Sequence, residues 1–468
     1  MAAVLPDDLL HMICGCLAEQ KDFRSLYQCA RSGKQLAVPA LACLYRRFFA
    51  GDMQQFKNDP TFRKSGTSRF DGPATTSSIA LFLTQHTPML EKLKGNLNKE
   101  ILDRCLPLMP HLQRLRVYEG HELAGTEQLI RKHCPEFIKI GFYGWSGANA
   151  DMECASFLSG IRPQTLQSFQ VFGTTAIGAE SFPALNLHSD TLKTLKVVAI
   201  GPNEMQHLSK FKDCTNIEKL KISENHRGTQ DLEHRQNDVF EEMVEWLCQC
   251  KALITVSLVN FISGPALLTP FLRTHDTKLT SLELDHVQLS ESSKFHSALS
   301  LQKQLKSLSM GGEESESVRD NDALVESLSK LVQLTNLRLT QVSASFTEHH
   351  IRTLAQNLPN LETFETWGFH ITNGIWPDIA KLARLKTLDL NADTRFTTNG
   401  ILDFVYSLGS GNHGFTLNVM MQDTDHDIPE MEQEMIRTAL ASQLEGKFFF
   451  LLVRGPEEDG QYSSEDSD

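Results

Sequence analysis

The order of apolar and polar residues along the chain repeats one motif, L-x-x-L-x-L, in which another apolar residue, or once Thr366, replaces leucine. Its first position falls at residues 112, 137, 166, 192, 217, 253, 279, 305, 334, 361 and 385. Nine of the ten gaps between these positions are 24 to 29 residues long, and the remaining gap is 36. The last two apolar positions of the motif lie two residues apart, so they share one face of a short β-strand. The motif therefore predicts a strand in each of these successive units.

Helical patterns lie between several of these strands. Apolar residues at i, i+3, i+4 and i+7 predict helices over residues 238–250, 322–331 and 347–358. One strand and one helix cannot bury their apolar faces alone, whereas stacked units form a continuous core. A repeat of roughly 20–29 residues with this motif is typical of leucine-rich repeats. The sequence thus predicts an α/β leucine-rich-repeat solenoid, a curved horseshoe with parallel strands inside and helices outside.

Two further positions in each unit complete the pattern. An apolar or small residue stands three positions before the first leucine, and we expect it to be buried: Met109, Cys134, Cys214, Cys250, Leu331, Leu358 and Leu382. Eight positions after the first leucine, leucine-rich repeats ordinarily carry Asn or Cys, and here only Asn225 does. Elsewhere this position is often apolar: Trp145, Ile200, Phe261, Val287, Val342 and Phe369. We therefore expect irregular repeats whose convex turn is held by burial rather than by side-chain amides.

The ends of the chain depart from the repeat. Strands over 415–420 and 447–453, with a helix over 430–444 between them, predict a C-terminal cap, and a further unit begins near Leu90. We assign residues 1–50 to a helical module, 51–85 to a linker and 86–454 to the solenoid with its cap. The tail, 455–468, holds six acidic residues and no Lys or Arg, and we expect it to be disordered.

The N-terminal module shows three short helical patterns within residues 4–48. Leu9, Ile13 and Leu17 fall on one stripe, and Pro6 suits the start of a helix. Asp22 suits the cap of a second helix, and a third apolar stretch covers 36–45. Such a small unit buries too little surface to fold alone. It either caps the first strand of the solenoid or docks on a partner.

The module resembles an F-box, as found in fungal F-box proteins with leucine-rich repeats. The residues that carry the resemblance are 5–10 (LPDDLL), Ile13, Leu17, 22–23 (DF), Leu26 and 41–46 (LACLYR). The resemblance implies that the module docks on a Skp-type adaptor, and through it on a cullin, in an SCF-type ubiquitin ligase, while the repeats bind a protein substrate. It also implies the adaptor-binding residues Leu5, Pro6, Leu9, Leu10, Ile13, Leu17, Phe23 and Leu26.

The polar positions within each strand motif should face the concave side of the solenoid. Early units place basic residues there, later units place acidic residues with one arginine, and aromatic residues lie one strand position beyond. We predict that this face binds the substrate, through Arg114, Arg116, Tyr118, Lys139, Tyr143, Phe172, Lys196, Lys219, Lys221, Glu283, Asp285, Arg338, Trp367 and Asp389. The alternatives are a merely solvated face, and contact through the insert 224–237, which lies in the longest gap.

No arrangement of residues indicates catalysis. The ten cysteines form no C-x-x-C pair, so we expect free thiols and no metal. Gly409, Gly411 and Gly414 match G-x-G-x-x-G but follow a helical pattern and precede a strand, the reverse of a dinucleotide site. A net charge of −13 argues against nucleic-acid binding. The absence of a long apolar run argues against a membrane span. We therefore expect a non-enzyme without cofactor, cytoplasmic or nuclear.

These observations favour a substrate-recognition subunit of an SCF-type ligase. The alternative is a non-catalytic leucine-rich-repeat scaffold with a degenerate F-box and no ligase role. The two hypotheses differ in whether residues 5–45 bind an adaptor.

Overall fold

The computed structural model describes residues 25, 47–49, 91–225, 231–274, 278–289, 292–313, 318–342, 346–421 and 427–452. The chain divides into two compact units after Asn225. Most of the predicted helical module, the linker and the acidic tail lie outside the described residues. Residues 47–49, which the sequence placed at the end of the helical module, form a strand of the sheet instead.

The first unit is a parallel sheet with helices between successive strands. Each strand pairs in parallel with the next. The strands are β1 (Arg47–Phe49), β2 (Lys92–Gly95), β3 (Arg114–Glu119), β4 (Lys139–Gly144), β5 (Ser168–Val171), β6 (Thr194–Ile200) and β7 (Lys219–Glu224). The helices are α1 (Lys99–Cys105), α2 (Glu127–His133), α3 (Ala150–Gly160), α4 (Ser181–Leu185) and α5 (Pro202–Met205).

The second unit repeats this arrangement, again with parallel pairing of successive strands. Its strands are β8 (Thr255–Val259), β9 (Ser281–Gln288), β10 (Ser307–Glu313), β11 (Asn336–Thr340), β12 (Thr363–Thr372), β13 (Thr387–Arg395), β14 (Thr416–Met421) and β15 (Lys447–Leu452). Its helices are α6 (Leu232–Arg235), α7 (Asn237–Gln249), α8 (Gly264–Leu272), α9 (Ser293–Leu299), α10 (Val318–Leu328), α11 (Glu348–Asn357), α12 (Trp376–Ile379), α13 (Thr398–Ser407) and α14 (Glu430–Leu444).

Every strand that the motif predicts is present, and the apolar positions of neighbouring units are in register. Leu115 pairs with Ile140, and Phe169 pairs with Leu195. The apolar side chains that these pairings align are buried between the sheet and the helices; Leu115, for example, is 0% exposed. The prediction of an α/β leucine-rich-repeat solenoid is confirmed, including the strand–helix–strand order of the cap.

The position three residues before the first leucine joins neighbouring repeats. Cys134 and Cys214 are buried there, and each thiol donates to a backbone carbonyl of the preceding repeat, Leu106 O and Leu185 O. Gln302 occupies the same position and donates to Leu272 O. Asn412, before Phe415, donates to Leu382 O. Hydrogen bonds between repeats therefore exist in this structure, but at a position where the sequence predicted only burial.

The turn eight positions after the first leucine is held by buried apolar residues, as expected. Trp145, Ile200, Phe261, Val287 and Val342 are all at most 2% exposed. Asn225 is exposed, so it does not form the buried amide of a regular repeat.

The residue before the apolar turn position adopts a left-handed conformation in several repeats. Ala199 has φ 58°, Asn260 59°, His286 51° and Gln341 50°. This conformation costs a residue other than glycine roughly 1–2 kcal/mol because its Cβ crowds the carbonyl oxygen.

We expect Ala199→Gly to raise the free energy of unfolding by about 0.5–1 kcal/mol, because relief of the Cβ contact exceeds the entropy cost of glycine. The matched control is Ala124→Gly, at a half-buried position with φ −58°, where glycine should destabilise. Urea unfolding followed by circular dichroism measures both variants. Equal effects at the two positions would contradict the prediction.

Candidate protein-binding surface

One face of the sheet in the first unit is covered by helices, and the other is formed by the polar positions of the strand motif. In β3, Leu115 and Val117 are fully buried, while Arg114 and Tyr118 are exposed and Arg116 is half-buried. The same alternation places all the predicted residues of this unit on the open face, each exposed or half-buried. They are Arg114, Arg116, Tyr118, Lys139, Tyr143, Phe172, Lys196, Lys219 and Lys221.

Strand register arranges the basic residues in two rows. The first row contains Lys92, Arg114, Lys139 and Lys219, joined through Ser168 and Thr194. The second row contains Lys94, Arg116, Lys196 and Lys221, joined through Gly141 and Gln170. Lys92 and Lys94 were missed by the sequence analysis. The alternation in 89–95 (MLEKLKG) is the signal that identifies them.

Three aromatic side chains from adjacent strands stack beside the second row. The ring centroids of Tyr118 and Tyr143 are 4.8 Å apart, and those of Tyr143 and Phe172 are 5.3 Å apart. Arg116 Cζ lies 4.0 Å and Lys196 Nζ 4.6 Å from the centroid of Phe172. These five residues form an aromatic–basic strip, held together by ring stacking and cation–π contacts.

Gly141 makes room for the strip. It lies in register between Arg116 and Gln170, and a Cβ at this position would stand 3.1 Å from Phe172 Cε2. A larger residue would displace the ring that holds Arg116.

The open face carries concentrated positive charge. Burial, together with the nearby charges of Arg114 and Lys219, lowers the pKa of Lys139. Among the alternating outward positions of β2–β7, from residue 92 to residue 223, there is no Asp or Glu, although Glu119 is exposed at the end of β3. A chain of net charge −13 thus collects basic residues on one sheet face, which favours an anionic ligand.

The second unit places its predicted residues on the equivalent face of its own sheet: Glu283, Asp285, Arg338, Trp367 and Asp389 are exposed or half-buried there. Several of the acidic residues are paired within the face. Arg338 Nε lies 2.9 Å from Glu365 Oε2, and Asn418 donates to Asp389. Burial raises the pKa of both Glu365 and Asp389. This face is therefore acidic but partly neutralised by its own partners.

Asp231, Glu233 and His234, at the end of the insert 224–237, line a cavity of about 450 Å³ in the second unit, beside α8 and α9. Asp231 accepts hydrogen bonds from Ser263 Oγ at 2.8 Å and pairs with His234 Nδ1 at 2.6 Å. Burial acts to raise the pKa of Asp231, but the bonds from Ser263 and His234 hold it below its usual value. The carboxylate lies between the serine and the histidine, so it ties Asp231 to Ser263, the residue that precedes α8.

The buried thiols are part of the core. Desolvation raises the pKa of Cys105 to about 11 and the pKa values of Cys134, Cys154 and Cys214 to about 12. They are therefore protonated and unreactive at neutral pH.

The described residues show neither a metal cluster nor a membrane helix. Within the described ranges, no group of three or more His, Cys, Asp or Glu is placed to hold a metal. In the same ranges, no helix has the length and apolar character needed to cross a bilayer. The motif 409–414 forms a turn between α13 and β14 that contains the buried Asn412.

The predicted adaptor-binding residues, from Leu5 to Phe23 and Leu26, lie outside the described residues. Their role stays a prediction from the sequence.

Comparisons with known proteins give distant structural likenesses. No protein-family model matches the chain, and no match was found among curated proteins. The yeast complex of Rad7 and Elc1 contains a chain that is 11% identical, over 99% of this chain and 97% of that one, with a TM-score of 0.41. A chain of the complex of TLR13 with ssRNA13 is 12% identical, over 81% of this chain and 55% of that one, with a TM-score of 0.37. The fold assigned above therefore rests on strand register and burial within this chain.

Proposed function

We propose that this protein is the substrate-recognition subunit of an SCF-type cullin-RING ubiquitin ligase. The observation that carries the proposal is the combination of an F-box-like segment, 5–46, with a leucine-rich-repeat fold that presents an open, charged strand face. The segment docks on a Skp-type adaptor and through it on a cullin, and the strand face binds a protein substrate. The chain supplies no catalytic group and needs no cofactor. It raises the effective concentration of substrate lysines near the transferred ubiquitin.

This function requires that the protein be in the cytoplasm or the nucleus.

The second candidate function is a leucine-rich-repeat scaffold with a degenerate F-box. Two departures from the F-box pattern favour this candidate. Asp8 stands where F-box sequences usually have Glu, and Gly33 interrupts a helical run.

Adaptor capture by the purified full-length chain tests the proposal. We expect the native chain to bind a Skp-type adaptor, and Leu9→Asp/Ile13→Asp to lose at least about 10-fold in affinity, because burying two unpaired carboxylates at an apolar contact is strongly unfavourable. The matched control is Leu301→Asp/Val332→Asp, at positions 48% and 46% exposed in the second unit, which should bind like the native chain.

Circular dichroism confirms that each variant is folded. A folded native chain that fails to bind, or Leu9→Asp/Ile13→Asp binding equally well, would overturn the ligase assignment in favour of the scaffold.

A further inference from the structure

We propose that the open face of β2–β7 binds an extended, acidic polypeptide segment, with the Arg116 guanidinium as the principal anchor for its anionic side chains. This inference rests on the proposed function, since it states the chemistry of the substrate segment that the solenoid would recognise.

The charge of the face is the first argument. Its alternating outward positions carry Lys or Arg at residues 92, 94, 114, 116, 139, 196, 219 and 221 and no acidic residue. Six strands spaced about 4.8 Å apart make this surface roughly 24 Å wide, and the two basic rows are about 6.7 Å apart. An extended peptide repeats its side chains on one face at this same interval of about 6.7 Å. A peptide lying along the strands can therefore place two anionic side chains at positions i and i+2, one on each basic row.

The position of Arg116 is the second argument. Its guanidinium carbon lies 4.0 Å from the centroid of Phe172, and Nη2 donates to Gln170 Oε1 at 3.4 Å. A guanidinium carries five N–H donors in a planar fork that fits a carboxylate or a phosphate. Because stacking and the bond to Gln170 already restrict the side chain, a ligand loses less entropy when it orders this group.

The aromatic residues favour a polypeptide over single-stranded nucleic acid. Nucleic acid binds such surfaces by stacking its bases on open ring faces. Here Tyr143 lies between Tyr118 and Phe172, and Phe172 is also contacted by Arg116 and Lys196. A peptide needs only the donors of Arg116 and an apolar contact, and Tyr118, at 44% exposure, offers the latter.

The test measures fluorescence anisotropy of a labelled 12-residue peptide of alternating Glu and Ala with the full-length protein. Probes of equal length are an alternating Lys and Ala peptide, a phosphoserine and Ala peptide, and oligothymidine. We expect the Glu peptide to bind, the Lys peptide not to bind, and affinity to fall as salt is raised. The phosphoserine probe distinguishes phosphate from carboxylate as the source of the anion.

Variants locate the site. Arg116→Lys keeps the charge but loses the planar fork, and we expect affinity to fall about 5-fold or more. Lys219→Glu should also weaken binding about 5-fold or more, by reversing one charge on the face. The control Lys132→Glu makes the same charge change at an exposed lysine on α2, off the face, and should bind nearly as the native chain.

Absence of binding by both anionic peptides, or equal loss in Lys219→Glu and Lys132→Glu, would overturn the proposal. Preferential binding of oligothymidine would replace it with a nucleic-acid site. Adaptor capture is measured separately. If the peptides do not bind but the adaptor does, only the proposed chemistry of the substrate segment is wrong. If the peptides bind but the adaptor does not, only the ligase role is wrong.

Discussion

Trp145→Ala is expected to lower the free energy of unfolding by about 3–5 kcal/mol, the range for removing a fully buried Trp or Phe. Trp145 is 0% exposed, and its ring meets Phe142 edge-on with centroids 5.2 Å apart. Its indole N–H donates to Glu153 at 3.2 Å. Glycine at position 120 leaves space for this ring, because a Cβ at Gly120 would lie 2.5 Å from Trp145 Cε3. Alanine would thus leave a cavity, an unpaired acceptor and a turn with no apolar anchor.

Urea unfolding followed by far-ultraviolet circular dichroism measures this loss, since the signal does not depend on the removed tryptophan. The control is Met152→Ala on α3, whose side chain is 60% exposed and should change stability by less than about 0.5 kcal/mol. A loss below about 1 kcal/mol for Trp145→Ala would show that burial of this ring does not hold the turn.

Asn412→Asp is expected to destabilise the second unit by about 3 kcal/mol or more. Asn412 is 1% exposed, and its Nδ2 donates at 3.0 Å both to Leu382 O and to Leu385 O. Its Oδ1 accepts from Gly409 N at 3.2 Å. Aspartate has nearly the same shape but no donor, so a carboxylate would stand against two carbonyl oxygens in a buried site.

Asn360→Asp is the matched control, because Asn360 also donates to a carbonyl, Val332 O at 2.9 Å, but this hydrogen bond is exposed and the residue only half-buried. We expect it to cost less than about 1 kcal/mol. Thermal unfolding and urea unfolding at neutral pH compare the two variants. Similar losses in both would show that the Asn412 hydrogen bonds are not needed between repeats.

Periodicity predicted the strands from β3 onward and several helices, because the spacing of apolar residues determines which positions are buried. It did not predict β1 or the helices of the first unit. The two-residue spacing of Leu115 and Val117 places both on the buried face of β3 whatever their neighbours are. The same argument predicted α14 and the buried position of Cys134. It did not identify the role of Asn412. The hydrogen bonds of this buried polar residue can be assigned only when the carbonyl groups of the preceding repeat have been located.

The candidate surface was predicted as a set of residues but not as an arrangement. Alternation alone placed Arg116, Phe172 and Lys196 on the open face. Their mutual contacts depend on strand register across β3 to β6 and on the absence of a side chain at Gly141. These facts require coordinates, since no local spacing relates residues two repeats apart.

The buried thiols of the first unit have a practical consequence. Cys105, Cys134, Cys154 and Cys214 each lie between a different pair of neighbouring strands. The thiolate is the nucleophile that attacks an alkylating reagent, so each of these side chains reacts appreciably only when its own segment opens to solvent. Pulsed alkylation with mass spectrometric readout would therefore rank the opening free energies of successive segments in the native protein. The four thiols, unevenly spaced along the first unit, would thus report which of their segments opens most easily.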